Sequence, residues 1–156
     1  MHDLPRLSRP MMSTKTYGHD LGFSCAFRQH RAASHCRYLH GYALGFKFTF
    51  AAKDESPEGW VVDFGGLKSL KTILENTFDH KTLMAADDPQ RAVYALLHQS
   101  GIIDLVVLPA VGCEAFARMV YDVTEAWLSD AGFAPRVWLI SVEVMEHGAN
   151  SAICCG

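Results

Sequence analysis

The chain has 156 residues, of which 49% are hydrophobic and 20% are charged, and its formal net charge is -3 when its eight histidines are counted as neutral. This length suits one domain with a sizeable core, and the composition is that of a globular protein and excludes a disordered segment. The weak negative charge, without a basic run interleaved with aromatic residues, excludes a nucleic-acid surface. No segment has the apolar length of a membrane span or of a signal peptide, so we expect a cytoplasmic protein without a membrane partner.

Five cysteines stand at positions 25, 36, 113, 154 and 155, and no two of them form a Cys-x-x-Cys pair. An odd number of cysteines without such a pair, in a reducing compartment, predicts free thiols. The first residues of the chain contain no apolar core. We therefore assign 1–16 to an N-terminal tail and 17–156 to a single domain.

In the first third of the chain, alternating apolar residues predict two strands. The first spans 17–28 and the second spans 39–52, each with its large apolar residues on one face. The polar loop between them carries two histidines and Cys36. Turn-forming residues follow over 53–59.

The rest of the chain alternates between helical and extended patterns. Apolar residues at helical spacing predict a helix from Phe64 to about residue 77, with Asp63 as its N-cap. Further patterns predict, in chain order, a short helix over 87–100, a short strand over 102–108, a long helix over 112–130, and two strands over 136–146 and 150–154.

This order predicts an α+β fold in which a four-stranded antiparallel sheet carries two helices on one face. Such a sheet leaves two open edges, and here its second face is also hydrophobic. Joining subunits edge to edge into a closed β-barrel would cover both features. We therefore expect a homo-oligomer.

Three short clusters contain side chains of the kinds that catalyse reactions. They are Cys36-x-x-x-His40-Gly41-Tyr42, Phe78-Asp79-His80, and the segment that ends in Glu146-His147. Taken singly, each has an ordinary explanation, because a histidine near a strand end is usually solvated and a glutamate beside a turn is usually just exposed. Their order along the chain is more informative than any one of them.

Two further motifs, Val62-Asp63-Phe64 and Gly112-Cys113-Glu114, stand in order with these clusters. Together the five motifs resemble those of the 6-pyruvoyltetrahydropterin synthase / 6-carboxytetrahydropterin synthase family. The resemblance extends over the chain from Phe23 to Ile153. The resemblance implies the tunnelling fold of that family, a lyase that acts on 7,8-dihydroneopterin triphosphate or a related dihydropterin, and a homohexamer of two stacked trimers. The short chain with its Cys-x-x-x-His-Gly layout is most similar to the 6-carboxytetrahydropterin branch, which leads to deazapurine synthesis and queuosine.

The same resemblance implies roles for individual residues. Cys36, Asp79 and His80 would move protons on the substrate side chain. A thiol near its ordinary pKa of about 8.5 is mostly protonated at neutral pH, so an imidazole held by a carboxylate is the partner that it needs. Glu146 would hold the pterin ring through two hydrogen bonds, and Glu114 is also assigned to substrate binding.

Zinc is the point at which the chain departs from the family pattern. The family binds zinc through three histidines, and the aligned positions here are Phe27, His40 and Tyr42. Only His40 remains, whereas catalytic zinc needs three protein ligands and an open position. The substitute ligands that the sequence offers are His30, His35, Cys25 and His147.

An alternative interpretation is that Phe27 and Tyr42 fill the metal position with rings and that the loop histidines are solvated. The protein would then be a metal-free relative that binds a pterin or purine and has lost zinc-dependent catalysis. A third interpretation, a structural role in a hetero-oligomer, requires a partner that the sequence does not reveal.

Overall fold

The computed structural model describes residues 11–156. Its strands are β1 (Met12–Tyr17), β2 (Phe23–Phe27), β3 (His40–Ala52), β4 (Lys81–Ala85), β5 (Leu105–Leu108), β6 (Val137–His147) and β7 (Asn150–Cys155). Its α-helices are α1 (Lys68–Phe78), α2 (Arg91–Gln99) and α3 (Cys113–Asp130). Short 3-10 turns occur at His19–Leu21, His35–Arg37 and Phe64–Leu67.

The strands form one mixed sheet around β3. Its order is β5-β4-β2-β3-β6-β7, and β1 pairs with β3 as well. Two strands pair with the same edge of the long strand β3: β2 pairs with its first residues and β1 pairs with its later residues. Strands β2, β4 and β5 run parallel to one another, and the other pairings are antiparallel.

The prediction of a four-stranded, purely antiparallel sheet is therefore wrong, although the α+β class is confirmed. The two strands that the sequence patterns did not predict, β1 and β4, carry weak signals. Strand β1 is mostly polar and largely exposed. Strand β4 is a run of buried residues directly after His80, and such a short apolar run has no alternation to reveal it.

Two helices cover one face of the sheet. Helix α1 presents Leu70, Leu74 and Phe78, spaced four residues apart, and all three are buried. The ring of Phe78 lies 4.9 Å from Phe46 on β3 and 5.4 Å from Phe116 on α3, measured between centroids. Since one ring contacts the sheet and the neighbouring helix, α1 and α3 lie side by side, as predicted. Burying each such side chain contributes about 1.5–3 kcal/mol.

The ends of the helices follow local chemistry. The carboxylate of Asp63 accepts a hydrogen bond from the Gly65 amide at 2.8 Å, so the predicted cap is confirmed, but a 3-10 turn precedes the α-helix proper. Helix α2 is shorter than the predicted 87–100. The residues before it form a turn, in which the Asp88 carboxylate accepts a hydrogen bond from the Gln90 amide at 2.8 Å.

The N-terminal boundary also differs from the prediction. Residues 12–16 belong to β1, so the folded domain begins before residue 17, and residues 1–10 of the predicted tail lie outside the described residues. Over 11–156, no helix is both long and apolar enough to cross a membrane. All five cysteines are free thiols, as predicted.

Candidate active site

Phe27, His40 and Tyr42 lie together where β2 ends and β3 begins. Phe27 is paired directly with His40 across the two strands, and Tyr42 follows two residues later on the same face of β3. The ring centroids are 5.4 Å apart for Phe27 and His40, 6.0 Å for Phe27 and Tyr42, and 5.4 Å for His40 and Tyr42. We call these three side chains the ring cluster.

The hydrogen bonding of His40 determines which ring nitrogen can meet a ligand. Its Nδ1 lies 2.6 Å from the carbonyl oxygen of Tyr38. Because a carbonyl oxygen only accepts, Nδ1 is the donor. In the neutral ring the lone pair is therefore on Nε2, which is left to accept a hydrogen bond.

The ring cluster does not fit the zinc site that the family resemblance implies. It offers one imidazole, one phenol and the side chain of Phe27, which has no donor atom and is 1% exposed. Across residues 11–156, no group of three or more His, Cys, Asp or Glu side chains is arranged to hold a metal ion. The ring cluster thus supplies fewer protein ligands than the three that a catalytic zinc needs.

The substitute ligands do not complete a set of three. His30 faces Asp87, with 3.8 Å between its Nε2 and the Asp87 carboxylate, and it lines a separate open cavity of about 220 Å³. His35 is exposed in the turn that precedes Tyr38. Burial raises the pKa of Cys25 to about 12, with a contribution from Cys113, so this thiol stays protonated and is a poor ligand. His147 contacts Tyr42 at 6.2 Å between ring centroids.

Tyr42 lies at the centre of the candidate site. Burial raises the pKa of its phenol, and the Glu146 carboxylate and the thiols of Cys36 and Cys113 raise it further. Those three groups are therefore within electrostatic reach of its hydroxyl. With a raised pKa the phenol is neutral at physiological pH, so it serves as a hydrogen-bond donor and not as a base.

Cys36 is held beside the end of β2 by its backbone. Its carbonyl oxygen accepts a hydrogen bond from the Gln29 amide at 2.9 Å, and its own amide donates to the Ser34 hydroxyl at 3.4 Å. The residue as a whole is half-buried. The backbone thus holds Cys36 beside the end of β2.

Glu146 and the start of α3 form the opposite wall of the site. Glu146 follows the buried residues Val142 and Val144 along β6, at a register shift between Met145 and His147. Such a bulge changes the direction in which a side chain points. Glu114 is exposed in the first turn of α3, where a carboxylate favours the helix dipole.

Sequence reasoning missed the part played by Cys113. Its thiol donates to the Val144 carbonyl at 3.4 Å, and burial, Glu146 and Glu114 raise its pKa to about 12. It is a neutral side chain that fixes the start of α3 against β6. The only signal was its place in the Gly112-Cys113-Glu114 motif.

Gly112 brings this helix start close to the loop that carries Cys36. Its φ of 112° lies in the region that glycine tolerates, and a Cβ at this position would collide with the side-chain amide of Gln29. The same Gln29 binds the Cys36 carbonyl through its backbone. The glycine therefore permits the close packing that joins α3 to the Cys36 loop.

A buried ion pair, also missed by the sequence analysis, fastens that loop. Arg28 binds Asp88 in a bidentate manner, at 2.8 Å from Nε and 2.7 Å from Nη2, and the Asp88 side chain is 1% exposed. Arg28 also donates to the carbonyl oxygen of Arg37, at 3.4 Å. The hydrogen bond from Arg28 lowers the pKa of Asp88.

Asp79 and His80 form the hydrogen bond that the sequence predicted. The Asp79 carboxylate lies 2.7 Å from Nδ1 of His80 and so holds the tautomer with its lone pair on Nε2. His80 adopts a φ of 57°, and its amide donates to the carbonyl oxygen of Ser24 at 2.7 Å. Its side chain is 85% exposed.

This pair is separated from Cys36 within one chain. The Cys36 carbonyl is bound at Gln29, two residues after β2 ends, whereas the His80 amide is bound at Ser24, near the start of β2. The fold thus brings Cys36, Tyr42 and Glu146 into one region and leaves Asp79 and His80 outside it.

Comparison with known proteins identifies relatives of this chain. The family model described as 6-pyruvoyl tetrahydropterin synthase matches residues 19–156. The 6-carboxy-5,6,7,8-tetrahydropterin synthase of Rickettsia bellii is 38% identical over 65 residues, which are 39% of this chain and 47% of the relative. The chain thus matches about half the length of that relative. The Aquifex aeolicus enzyme of the same name is 25% identical over 136 residues, 84% of this chain and 82% of the relative.

Solved structures give the same picture of the fold. An uncharacterized protein from Wolinella succinogenes superposes with a TM-score of 0.77 at 18% identity, covering 96% of this chain and 99% of the other. The 6-pyruvoyl tetrahydropterin synthase of Plasmodium vivax superposes with a TM-score of 0.66 at 15% identity, covering 92% and 97%. At such identities the likeness shows the fold alone. The family match, however, spans most of the chain, and the protein belongs to the 6-pyruvoyl tetrahydropterin synthase family.

Proposed function

We propose that the protein is a lyase of the 6-carboxytetrahydropterin synthase type that acts on 7,8-dihydroneopterin triphosphate or a related dihydropterin. The observation that carries this proposal is that Cys36, Tyr42 and Glu146 lie at one end of the sheet: the Cys36 carbonyl binds the Gln29 amide just after β2, and the Tyr42 ring lies 6.2 Å from that of His147, the neighbour of Glu146. Such a reaction requires a carboxylate that anchors the ring and a thiol that removes a proton from its side chain. The names of the curated relatives support the same class.

The proposed chemistry uses the groups in distinct roles. Glu146 accepts two hydrogen bonds from the guanidine-like edge of the pterin. His80, held by Asp79, takes the proton of the Cys36 thiol, and the thiolate then removes a proton from a side-chain carbon of the substrate. The electron pair of that C–H bond moves into the adjacent C=N bond of the dihydropterin ring, whose nitrogen takes up a proton, and the resulting enol becomes a carbonyl. Loss of the next side-chain proton then gives an enolate, whose oxygen carries the developing negative charge and whose electrons expel the triphosphate.

We also propose that the protein assembles through its sheet edges into a barrel, as a homohexamer or another homo-oligomer. Within residues 11–156, β7 pairs only with β6, and its residue Ile153 is 61% exposed. An open edge of this kind readily pairs with another strand. Assembly would also give the exposed Asp79–His80 pair a function, because His80 of one subunit can then face Cys36 of a neighbour.

The test is to incubate the purified protein with 7,8-dihydroneopterin triphosphate and to follow triphosphate release and pterin products by mass spectrometry. We expect turnover by the wild type and at least a ~30-fold loss of pterin affinity for Glu146→Ala, because a charge-assisted pair is removed. The matched control is Glu143→Ala on the same strand, whose carboxylate binds Ser151 at 2.7 Å. If no dihydropterin is converted, with or without added zinc, the enzyme proposal is wrong.

A second candidate is a metal-free relative that binds a pterin or purine without converting it. The observation that favours it is the ring cluster, which holds one imidazole where the family pattern has three. This candidate predicts pterin binding that depends on Glu146 but no turnover. It also predicts that Cys36→Ala leaves the affinity unchanged.

A further inference from the structure

We propose that the Tyr42 hydroxyl, in a site without a metal, donates a hydrogen bond to an oxygen on the side chain of the bound dihydropterin, while Nε2 of His40 accepts one from a neighbouring hydroxyl. This inference rests on the proposed function and specifies which substrates the site accepts. The matching ligand carries oxygens on two adjacent side-chain carbons, of which one, a carbonyl or a hydroxyl, accepts a hydrogen bond and the other, a hydroxyl, donates one. Tyr42 is then a catalytic residue, because its hydroxyl touches the reacting oxygen.

The ring cluster contains only one available donor. Phe27 has no polar atom, and the Nδ1 proton of His40 is used by the Tyr38 carbonyl at 2.6 Å. The neutral His40 ring therefore presents a lone pair at Nε2. Only the phenol of Tyr42 has a proton to offer, so the cluster presents one donor beside one acceptor.

The surroundings of Tyr42 hold its ring in place. Phe27, His40 and His147 contact it at centroid distances of 6.0, 5.4 and 6.2 Å. The residue is half-buried, and its hydroxyl lies within electrostatic reach of Cys36 and Glu146. A ring fixed by its neighbours orients its hydroxyl before the ligand arrives, which is the condition under which a donor stabilises a developing charge.

The position between Cys36 and Glu146 matches the chemistry of the proposed reaction. Glu146 would hold the pterin ring and Cys36 would remove a proton from a carbon of the side chain, so the side-chain oxygens would lie near Tyr42. Removing a proton from the carbon next to a carbonyl places negative charge on that oxygen. A donor aimed at such an oxygen is worth about 10²–10³ in rate.

The test compares two ligands that share the pterin ring. 6-Lactoyl-7,8-dihydropterin carries the carbonyl and hydroxyl, and 6-methyl-7,8-dihydropterin carries neither. We expect Tyr42→Phe to weaken binding of the lactoyl compound about 5- to 30-fold and to leave the methyl compound unchanged, as measured by fluorescence titration after chelator treatment. Tyr38→Phe is the matched control, since Tyr38 is 60% exposed and its hydroxyl binds Arg37 at 3.0 Å.

A second measurement addresses the metal directly. The zinc content per subunit is compared for the wild type and for the double variant Phe27→His, Tyr42→His, which places three imidazoles on one face. Each protein is dialysed first against zinc and then against zinc-free buffer. We expect zinc to remain bound to the double variant and to be nearly absent from the wild type.

The outcomes separate the two proposals. If the wild type binds both pterins and Tyr42→Phe binds the lactoyl compound as tightly as the wild type does, the role of Tyr42 is refuted and the proposed function stands. About one zinc per wild-type subunit, lost in His40→Ala, overturns the metal-free site in the same way. If the wild type binds neither pterin, both proposals fail.

Discussion

The proposed catalytic groups lie in two regions that the fold treats differently. Cys36, Tyr42 and Glu146 are half-buried at one end of the sheet, where the loop after β2, the start of β3 and the end of β6 meet. Asp79 and His80 lie at the junction of α1 and β4, and the His80 side chain is 85% exposed. The first region is organised by contacts within one chain. The second region contains the hydrogen bond between Asp79 and His80, but it is open to solvent.

This difference indicates how the site is completed. A general base works only within hydrogen-bond reach of the proton that it moves. In one chain Cys36 and His80 are anchored near opposite ends of β2. Either the exposed pair has no part in the chemistry, or another subunit brings it to Cys36.

The largest expected effect is the loss of turnover when one residue of either region is replaced. Cys36→Ala and His80→Ala should each lower kcat by about 10³-fold, within the usual range for a group that moves a proton. If the two residues act across a subunit boundary, unfolding and refolding the two variants together restores up to about a quarter of the wild-type activity. This fraction is expected because random pairing of equal amounts joins an intact Cys36 to an intact His80 at one site in four.

The control for this experiment is each variant refolded alone, which must stay inactive. Mixed assemblies without any recovery would show that Cys36 and His80 work within one subunit. An active His80→Ala variant would show that the exposed pair is dispensable. Either result would show that the two regions do not combine into one site across a subunit boundary.

The second prediction concerns what keeps the buried region in place. Asp88→Ala leaves the Arg28 guanidinium without its partner and should lower the free energy of unfolding by about 3–5 kcal/mol. Asp87→Ala is the matched control, since its carboxylate is 48% exposed and its pair with Arg31 should contribute at most about 1 kcal/mol. Urea denaturation of both variants measures the difference.

The pH dependence of stability follows from the same pair. The pKa of Asp88 is lowered in the folded protein by its hydrogen bond to Arg28, against about 3.9 in an unfolded chain. The contribution of the pair is therefore complete above about pH 4 and is lost as the pH falls towards the lowered folded value. The wild type should lose stability more steeply than Asp88→Ala below pH 4. Parallel curves would show that the pair contributes little.

Several parts of this arrangement could be predicted from the sequence, because they depend on local patterns. The family resemblance predicted that Phe27, His40 and Tyr42 occupy related positions, and their rings do lie together. The helix over 112–130 and the cap at Asp63 also follow from local spacing. The Asp79–His80 hydrogen bond joins adjacent residues and needed no tertiary information.

The parts that could not be predicted depend on contacts between distant segments. Arg28 and Asp88 are each ordinary charged residues in the sequence, and only the parallel pairing of β2 with β4 brings their segments together. Cys113 gains its place beside Tyr42 and Glu146 from the docking of α3 on β6. The separation of His80 from Cys36 is likewise a property of strand register, about which motif order carries no information.

The smallest expected effect concerns the hydrogen bond between Asp79 and His80. Asp79→Asn keeps the shape of the side chain but lets its amide donate to Nδ1 of His80, which favours the tautomer with the proton on Nε2. That tautomer cannot accept a proton from Cys36, so kcat should fall. We expect a loss of about 10- to 100-fold, less than the ~10⁴-fold seen for the same change in a buried serine-protease triad, because an exposed imidazole can exchange tautomers through water.

The measurement is steady-state kinetics on the proposed substrate, in which kcat falls and KM changes less than about twofold. Asp79→Glu serves as the conservative comparison and should restore part of kcat, since it again offers a carboxylate to Nδ1. A purely structural role for Asp79 predicts instead that both variants lose stability and bind the substrate more weakly. In that case the hydrogen bond at 2.7 Å would end α1 and would not orient a base.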